Sequence, residues 1–123
     1  MRFGGIQIGE HRMIPYVKLA EVMEKEGKRT GYTLLDERHG CVNGSRCGVS
    51  FYALDEYDFT RMGAHDDQEG FLVLEGYGKA LIGGEELDLE PGMCFMIPAG
   101  VPHGMKRDKG SEYCKVFWFH AAI

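Results

Sequence analysis

At 123 residues, 44% of them apolar, the chain can fill one hydrophobic core and leaves no room for a second. Its 14 basic side chains stand against 19 acidic ones. The resulting net charge of -5 repels a phosphate backbone, so nucleic-acid binding is not expected. The longest apolar runs, Phe71 to Leu74 and Val116 to Phe119, fall far short of the roughly 20 residues that span a bilayer.

The start, Met1-Arg2-Phe3-Gly4-Gly5, does not lead into the apolar region of a secretory signal, and a soluble, cytoplasmic protein is expected. From Pro15 to Gly27, Tyr16, Leu19, Ala20 and Met23 recur at helical spacing. They predict one short amphipathic helix, with Pro15 in its first turn, Gly27 as its C-terminal cap and Glu21 paired with Lys25. Strand signals follow at Thr30 to Leu35 and at Gly48 to Leu54, where Val49, Phe51 and Ala53 alternate with Ser50 and Tyr52. Cys41 to Cys47, carrying Asn43-Gly44-Ser45, reads as the loop between them.

Further strands are expected at Phe71 to Leu74, Lys79 to Ile82, Glu85 to Leu89, Met93 to Ile97 and Glu112 to His120. Gly83-Gly84 suits a tight hairpin, and Glu90-Pro91-Gly92 another turn. Eighteen glycines punctuate these runs at intervals, as in a small antiparallel sandwich or barrel. Cys94 and Cys114 lie in apolar runs, and no Cys-x-x-Cys spacing supports a thiol zinc site or a redox motif.

Two of the five histidines sit in informative surroundings. On one straight strand His65 and Glu69 would stand about 13 Å apart, too far to share an ion. The glycines at 63 and 70 and the pair Asp66-Asp67 disfavour a helix. What remains is a strand end at His65, a polar turn from Asp66 to Gln68 and a new strand opening at Glu69, so that both side chains face one interior. Near the other histidine, Pro98 stops an apolar strand, Gly100 reverses the chain and Pro102 stiffens the approach to His103. Two imidazoles and a carboxylate, His65, Glu69 and His103, match the ligand set of a divalent zinc, iron, manganese, nickel or copper ion.

These residues resemble the cupin family. Glu69-Gly70-Phe71-Leu72-Val73-Leu74-Glu75-Gly76, preceded by His65, is similar to the first cupin motif. Gly92 followed by Pro98-Ala99-Gly100-Val101-Pro102-His103 is similar to the second. The resemblance covers about Arg61 to Lys106. It implies an all-β cupin jelly-roll barrel of the RmlC-like type with one short N-terminal helix. A single domain over 1–123 is expected, with the helix and leading strands in 1–47 and the motif-bearing barrel in 48–123.

By the same resemblance His65, Glu69 and His103 hold the metal. Gly63 stands where the first motif has its earlier histidine, and Arg107 where the second often ends in asparagine. The fourth ligand is left to Asp66, Gln68, Cys94, His120 or water. The resemblance implies a metal-dependent enzyme of isomerase, lyase or dioxygenase type acting on a small polar molecule such as a sugar or carboxylate. Its rival is a non-catalytic small-molecule sensor similar to the effector-binding part of arabinose-type regulators. A structural dimer without a ligand is a third reading. The aromatic residues Phe71, Phe95, Phe117, Trp118 and Phe119 are expected in core or interface. A homodimer is expected because Val116 to Phe119 is apolar on both faces.

Overall fold

A computed structural model describes residues 2–3, 6–7 and 14–121 of the chain; the stretch around His11 lies outside them. Strands β1 (Arg2–Phe3) and β2 (Ile6–Gln7) pair with each other and were not anticipated. The helix α1 (Leu19–Glu26) begins later than expected. Tyr16 and Val17 are weak helix formers, and Lys18, the N-cap, is still extended at φ -110° and makes no side-chain cap. Gly27 caps its end as predicted, donating its N–H to the Met23 carbonyl, while Glu21 pairs with Lys18 at 3.8 Å rather than with Lys25. Tyr16, assigned to the apolar stripe, is exposed, and no residue of α1 is buried.

Two antiparallel sheets face each other. The larger follows the order β3 (Gly31–Leu35), β4 (Arg46–Tyr52), β10 (Cys114–His120), β5 (Glu69–Glu75) and β8 (Cys94–Ile97). The smaller follows β7 (Glu85–Leu89), β6 (Gly78–Ile82) and β9 (His103–Arg107). Phe71, Val73, Ile97, Cys114 and Val116 from the first meet Ala80, Leu89 and Met105 from the second, and all are buried. Among the described residues no helix is long and apolar enough to cross a membrane.

Several boundaries follow the sequence reading closely. Gly83 and Gly84, at φ 55° and 89°, make the two-residue turn of the β6–β7 hairpin, in which Ile82 faces Glu85. Strand β9 went unpredicted because its His-Gly-Met-Lys-Arg sequence has neither β-branched residues nor alternation. Cys47, expected in a loop, belongs to β4 and faces Phe119 of β10. A three-residue 3-10 helix, Glu37–His39, occupies the connection instead, with Asp36 accepting from the Arg38 N–H and the His39 ring accepting from the Asp36 N–H.

Register fixes which side chains point inward, because residues paired across neighbouring strands share a face. Arg46, His120, Glu69 and Ile97 form one such row, and Gly48, Trp118, Phe71 and Phe95 the next. Phe117 and Phe119 fall on the opposite, outward face, where their rings stack with centroids 6.2 Å apart. The alternation expected for β4 therefore appears as two covered faces. Ser50 is buried toward the core, and Val49 is buried outside it, between Tyr32 and Phe117 in the paired row.

Gly70 is set by this register. It faces Phe119, whose ring lies across it so closely that an added Cβ would come within 2.2 Å of the ring. Gly70→Ala is expected to lower stability by about 1–3 kcal/mol through overpacking. In urea denaturation the loss should be smaller in a Phe119→Ala background, and equal losses in both backgrounds would show that the ring is not the cause.

Candidate metal centre

The centre is assembled from three separated stretches. The approach to β5 carries His65 and Asp67, and Glu69 is the first residue of β5. His103 opens β9, and His120 closes β10. Two main-chain hydrogen bonds tie the first two stretches together: the Gly100 N–H donates to the His65 carbonyl at 2.7 Å, and the His103 N–H to the Gly63 carbonyl at 3.2 Å. The mount therefore uses the Pro98–His103 reversal seen in the sequence, but holds it with backbone atoms.

Glu69 is the hub. Its side chain is 9% exposed, and its Oε1 lies 3.0 Å from His103 Nε2 and 3.4 Å from His65 Nε2. The three residues expected to act together are thus brought to one carboxylate. Its other oxygen, Oε2, lies 3.2 Å from Nε2 of His120, one of the candidates for the fourth ligand. One ligand atom from each of His65, Glu69 and His120 lies within 4.8 Å of the others, a group that does not include His103.

Of the other fourth-ligand candidates, Asp66 and Gln68 are exposed. Cys94 is exposed too, and it pairs with Leu72 in a row that faces away from the core. Asp67, in the polar turn expected from Asp66 to Gln68, has a side chain only 10% exposed and accepts from His120 Nδ1 at 2.8 Å. Arg46 Nη1 donates to its second oxygen at 3.4 Å.

Tautomers follow from these partners. The Val101 carbonyl, 3.0 Å from His103 Nδ1, can only accept, so that nitrogen carries a proton. The Nε2 lone pair of a neutral His103 then points at a carboxylate oxygen, which repels it unless a proton or a cation intervenes. Burial draws the His103 pKa down, but hydrogen bonds with Glu69 and Val101 and the Glu69 charge outweigh it and leave the imidazole above its ordinary value. Burial pushes the Asp67 carboxyl up, and the His120 bond with the charges of His120 and Arg46 brings it below its ordinary value. The donor set, imidazole nitrogens around a buried carboxylate, is that of zinc and the later first-row metals.

A cavity of about 530 Å³ opens onto His65, Glu69 and His103. Tyr52, Leu54, Phe71 and Met105 make its apolar wall, while Glu56, Asp58 and Arg61 add charge. Burial first, and the Glu69 charge second, drive the Tyr52 hydroxyl far above the usual tyrosine range, so it stays protonated. Phe71 has two roles, since it stacks on Phe95 at 5.2 Å within the core and also lines the cavity.

Arg107, at the position where asparagine was looked for, does not reach this group. Its Nε donates to the Ala53 carbonyl at 2.8 Å and its Nη1 to the Ser111 carbonyl at 3.1 Å, closing the end of β4 against the turn before β10. Arg107→Ala should cost about 1–2 kcal/mol of stability in thermal denaturation, the worth of hydrogen bonds from a charged donor. It should leave metal content unchanged, and a parallel loss of metal would place Arg107 in the site.

The model of the cupin domain matches residues 55–120. Among solved structures, iron(II) HppE is similar at 22% identity and a TM-score of 0.63 over 74% of this chain and 48% of its own. A hydroxypropylphosphonic acid epoxidase from S. wedmorenis, in complex with fosfomycin, gives 20% identity and a TM-score of 0.60 over 74% of this chain and 50% of its own. A putative ethanolamine utilization protein Q from Salmonella typhimurium gives 17% identity and 0.60 over 73% and 66%. The chain thus spans about half the length of the first two, and at these identities the likeness establishes the fold. No curated protein matches by sequence.

Proposed function

The chain belongs to the cupin-domain family, and from that premise we propose that it is a metal-dependent enzyme acting on a small polar molecule such as a sugar or carboxylate. His65, Glu69 and His103 hold a divalent transition metal. The observation that carries this reading is the meeting of both Nε2 atoms on one buried carboxylate oxygen at the wall of a 530 Å³ cavity. A neighbour of the same fold carries iron(II).

When bound, the metal supplies a Lewis acid and a point of attachment for substrate oxygen. The chain's own residues do the rest. Val101 fixes the His103 ring through Nδ1, so that Nε2 is presented inward. Tyr52, Phe71 and Met105 displace water from the wall, which strengthens polar interactions inside. Arg61 at the lining, paired with Asp58 at 3.6 Å, is the cationic group that a carboxylate-bearing substrate would take over from Asp58. Isomerase, lyase and dioxygenase chemistry all remain within the proposal, because fold does not select among them.

Metal analysis of freshly purified protein tests the reading. About one equivalent of a transition metal is expected per chain, falling to less than about a tenth in His103→Ala as the ligand set loses a member. Native protein that stays below a tenth of an equivalent after reconstitution overturns it.

One observation favours the sensor reading instead: among the described residues every buried side-chain polar atom already has a hydrogen-bond partner without an ion. In that case His103 carries a second proton that Glu69 accepts. A small-molecule ligand would then raise the melting temperature equally with and without a chelator, whereas the enzyme reading requires the shift to vanish with the metal.

The proposal includes a cytoplasmic homodimer. Cys41, Cys47, Cys94 and Cys114 are all free thiols, in keeping with a reducing compartment. The outward row of Leu72, Phe117 and Cys94, continued by Met96 at 44% exposure, provides an apolar face for a second copy. Light scattering should give twice the chain mass, and Phe117→Lys should halve it.

A further inference from the structure

We infer that His120 is a metal ligand, supplying from the end of the last strand the imidazole that the first motif lacks at Gly63. The inference rests on the proposed metal centre and adds to it one donor and an outer support.

Three observations converge on His120. The first is its place in the sheet: β10 lies between β4 and β5, and the register sets His120 beside Glu69 on one side and Arg46 on the other, all on the inward face. Its side chain is 4% exposed, so the ring stands in one environment. The second is its tautomer. Asp67 Oδ1 accepts from Nδ1 at 2.8 Å. In a neutral ring the proton then sits on Nδ1, and Nε2 faces Glu69 Oε2 at 3.2 Å. His103 does the same toward Oε1, with the Val101 carbonyl in the part of Asp67.

With both rings neutral, two lone pairs would be aimed at the two oxygens of one carboxylate, an arrangement that a cation relieves. A carboxylate behind an imidazole behind a metal is the usual way in which a ligating ring is oriented and made more basic. Here Arg46, 3.4 Å from Asp67, extends that support by one residue.

The third observation concerns distance. Donors bound at about 2.0–2.2 Å to one ion lie at most about 4.4 Å apart. His65, Glu69 and His120 donors already stand within 4.8 Å, so a contraction of about half an ångström at most brings them to one ion. Gly63 explains why a substitute is needed and where room is left. It lines the cavity, and a Cβ built on it meets only the His65 ring, at 4.0 Å. No imidazole comes from that side, which stays open to the cavity, while His120 approaches the other oxygen of Glu69.

The test counts imidazoles. Protein loaded with one equivalent of copper(II) is examined by pulsed electron paramagnetic resonance, which reads the number of coupled imidazole nitrogens. Three are expected in the native chain and two in His120→Gln. Asp67→Asn should keep all three and weaken copper(II) binding by about 10–100-fold, the effect of removing the partner of a ligating histidine.

A count of two in the native chain that falls to one in His103→Gln but not in His120→Gln overturns the inference and leaves the His65, Glu69 and His103 site intact. An unchanged count in a folded His120→Gln overturns it equally. Failure of the native chain to bind copper(II) at all removes the underlying metal reading together with it.

Discussion

A carboxylate carried into a protein interior must be met by positive charge or by donors, because water no longer solvates it. Glu69 is such a group, and everything around it answers that requirement. Three imidazoles reach its two oxygens at 3.0, 3.2 and 3.4 Å. Each comes from a different part of the chain, so satisfying this one residue ties together the approach to β5, the start of β9 and the end of β10. The same need drives the affinity for a metal. A divalent ion balances the carboxylate and gives the imidazole lone pairs a common target, which protons can do only by charging the rings.

The fold delivers these groups through strand pairing rather than through local sequence. Inserting β10 between β4 and β5 places Arg46, His120 and Glu69 in one row across three strands. The rows behind it, through Trp118 and Phe71 and then Val116 and Val73, are apolar and buried or nearly so. The polar cluster therefore sits at the end of a hydrophobic slab, where the core gives way to the cavity. This placement lowers the local dielectric without isolating the centre from small molecules.

How far the sequence could be read depended on the range of the interaction involved. Gly83-Gly84, Glu85 to Leu89 and the Gly27 cap were legible because turn chemistry and alternation act within a few residues. The cupin family was legible because its motifs carry Gly, Pro and His at fixed offsets, and His65, Glu69 and His103 do come together.

The part of Asp67 and His120 was not legible to the same degree. They lie 53 positions apart, and only the order of strands in the larger sheet makes them neighbours. His120 could be named as one candidate among several, but its partner looked like any acidic turn residue. A signal did exist in the alternation of β10, where Cys114, Val116, Trp118 and His120 share the face that packs inward. Strand β9 and the late start of α1 were missed for the opposite reason. The residues of β9 and those between Pro15 and Lys18 have weak intrinsic preferences, and for β9 tertiary pairing decided the outcome.

The bonds from Gly100 to His65 and from His103 to Gly63 use only peptide groups. Side chains at positions 63 and 64 can therefore be exchanged over evolutionary time without dismantling the scaffold that aims the two rings, whereas Gly100, at φ 79°, is held to glycine by its backbone. Relatives built on the same lattice are free to gain or lose a histidine at position 63, and so to retune the number of donors, while inheriting an unaltered frame. Chemical diversity on this architecture then comes from swapping fittings on a fixed bracket.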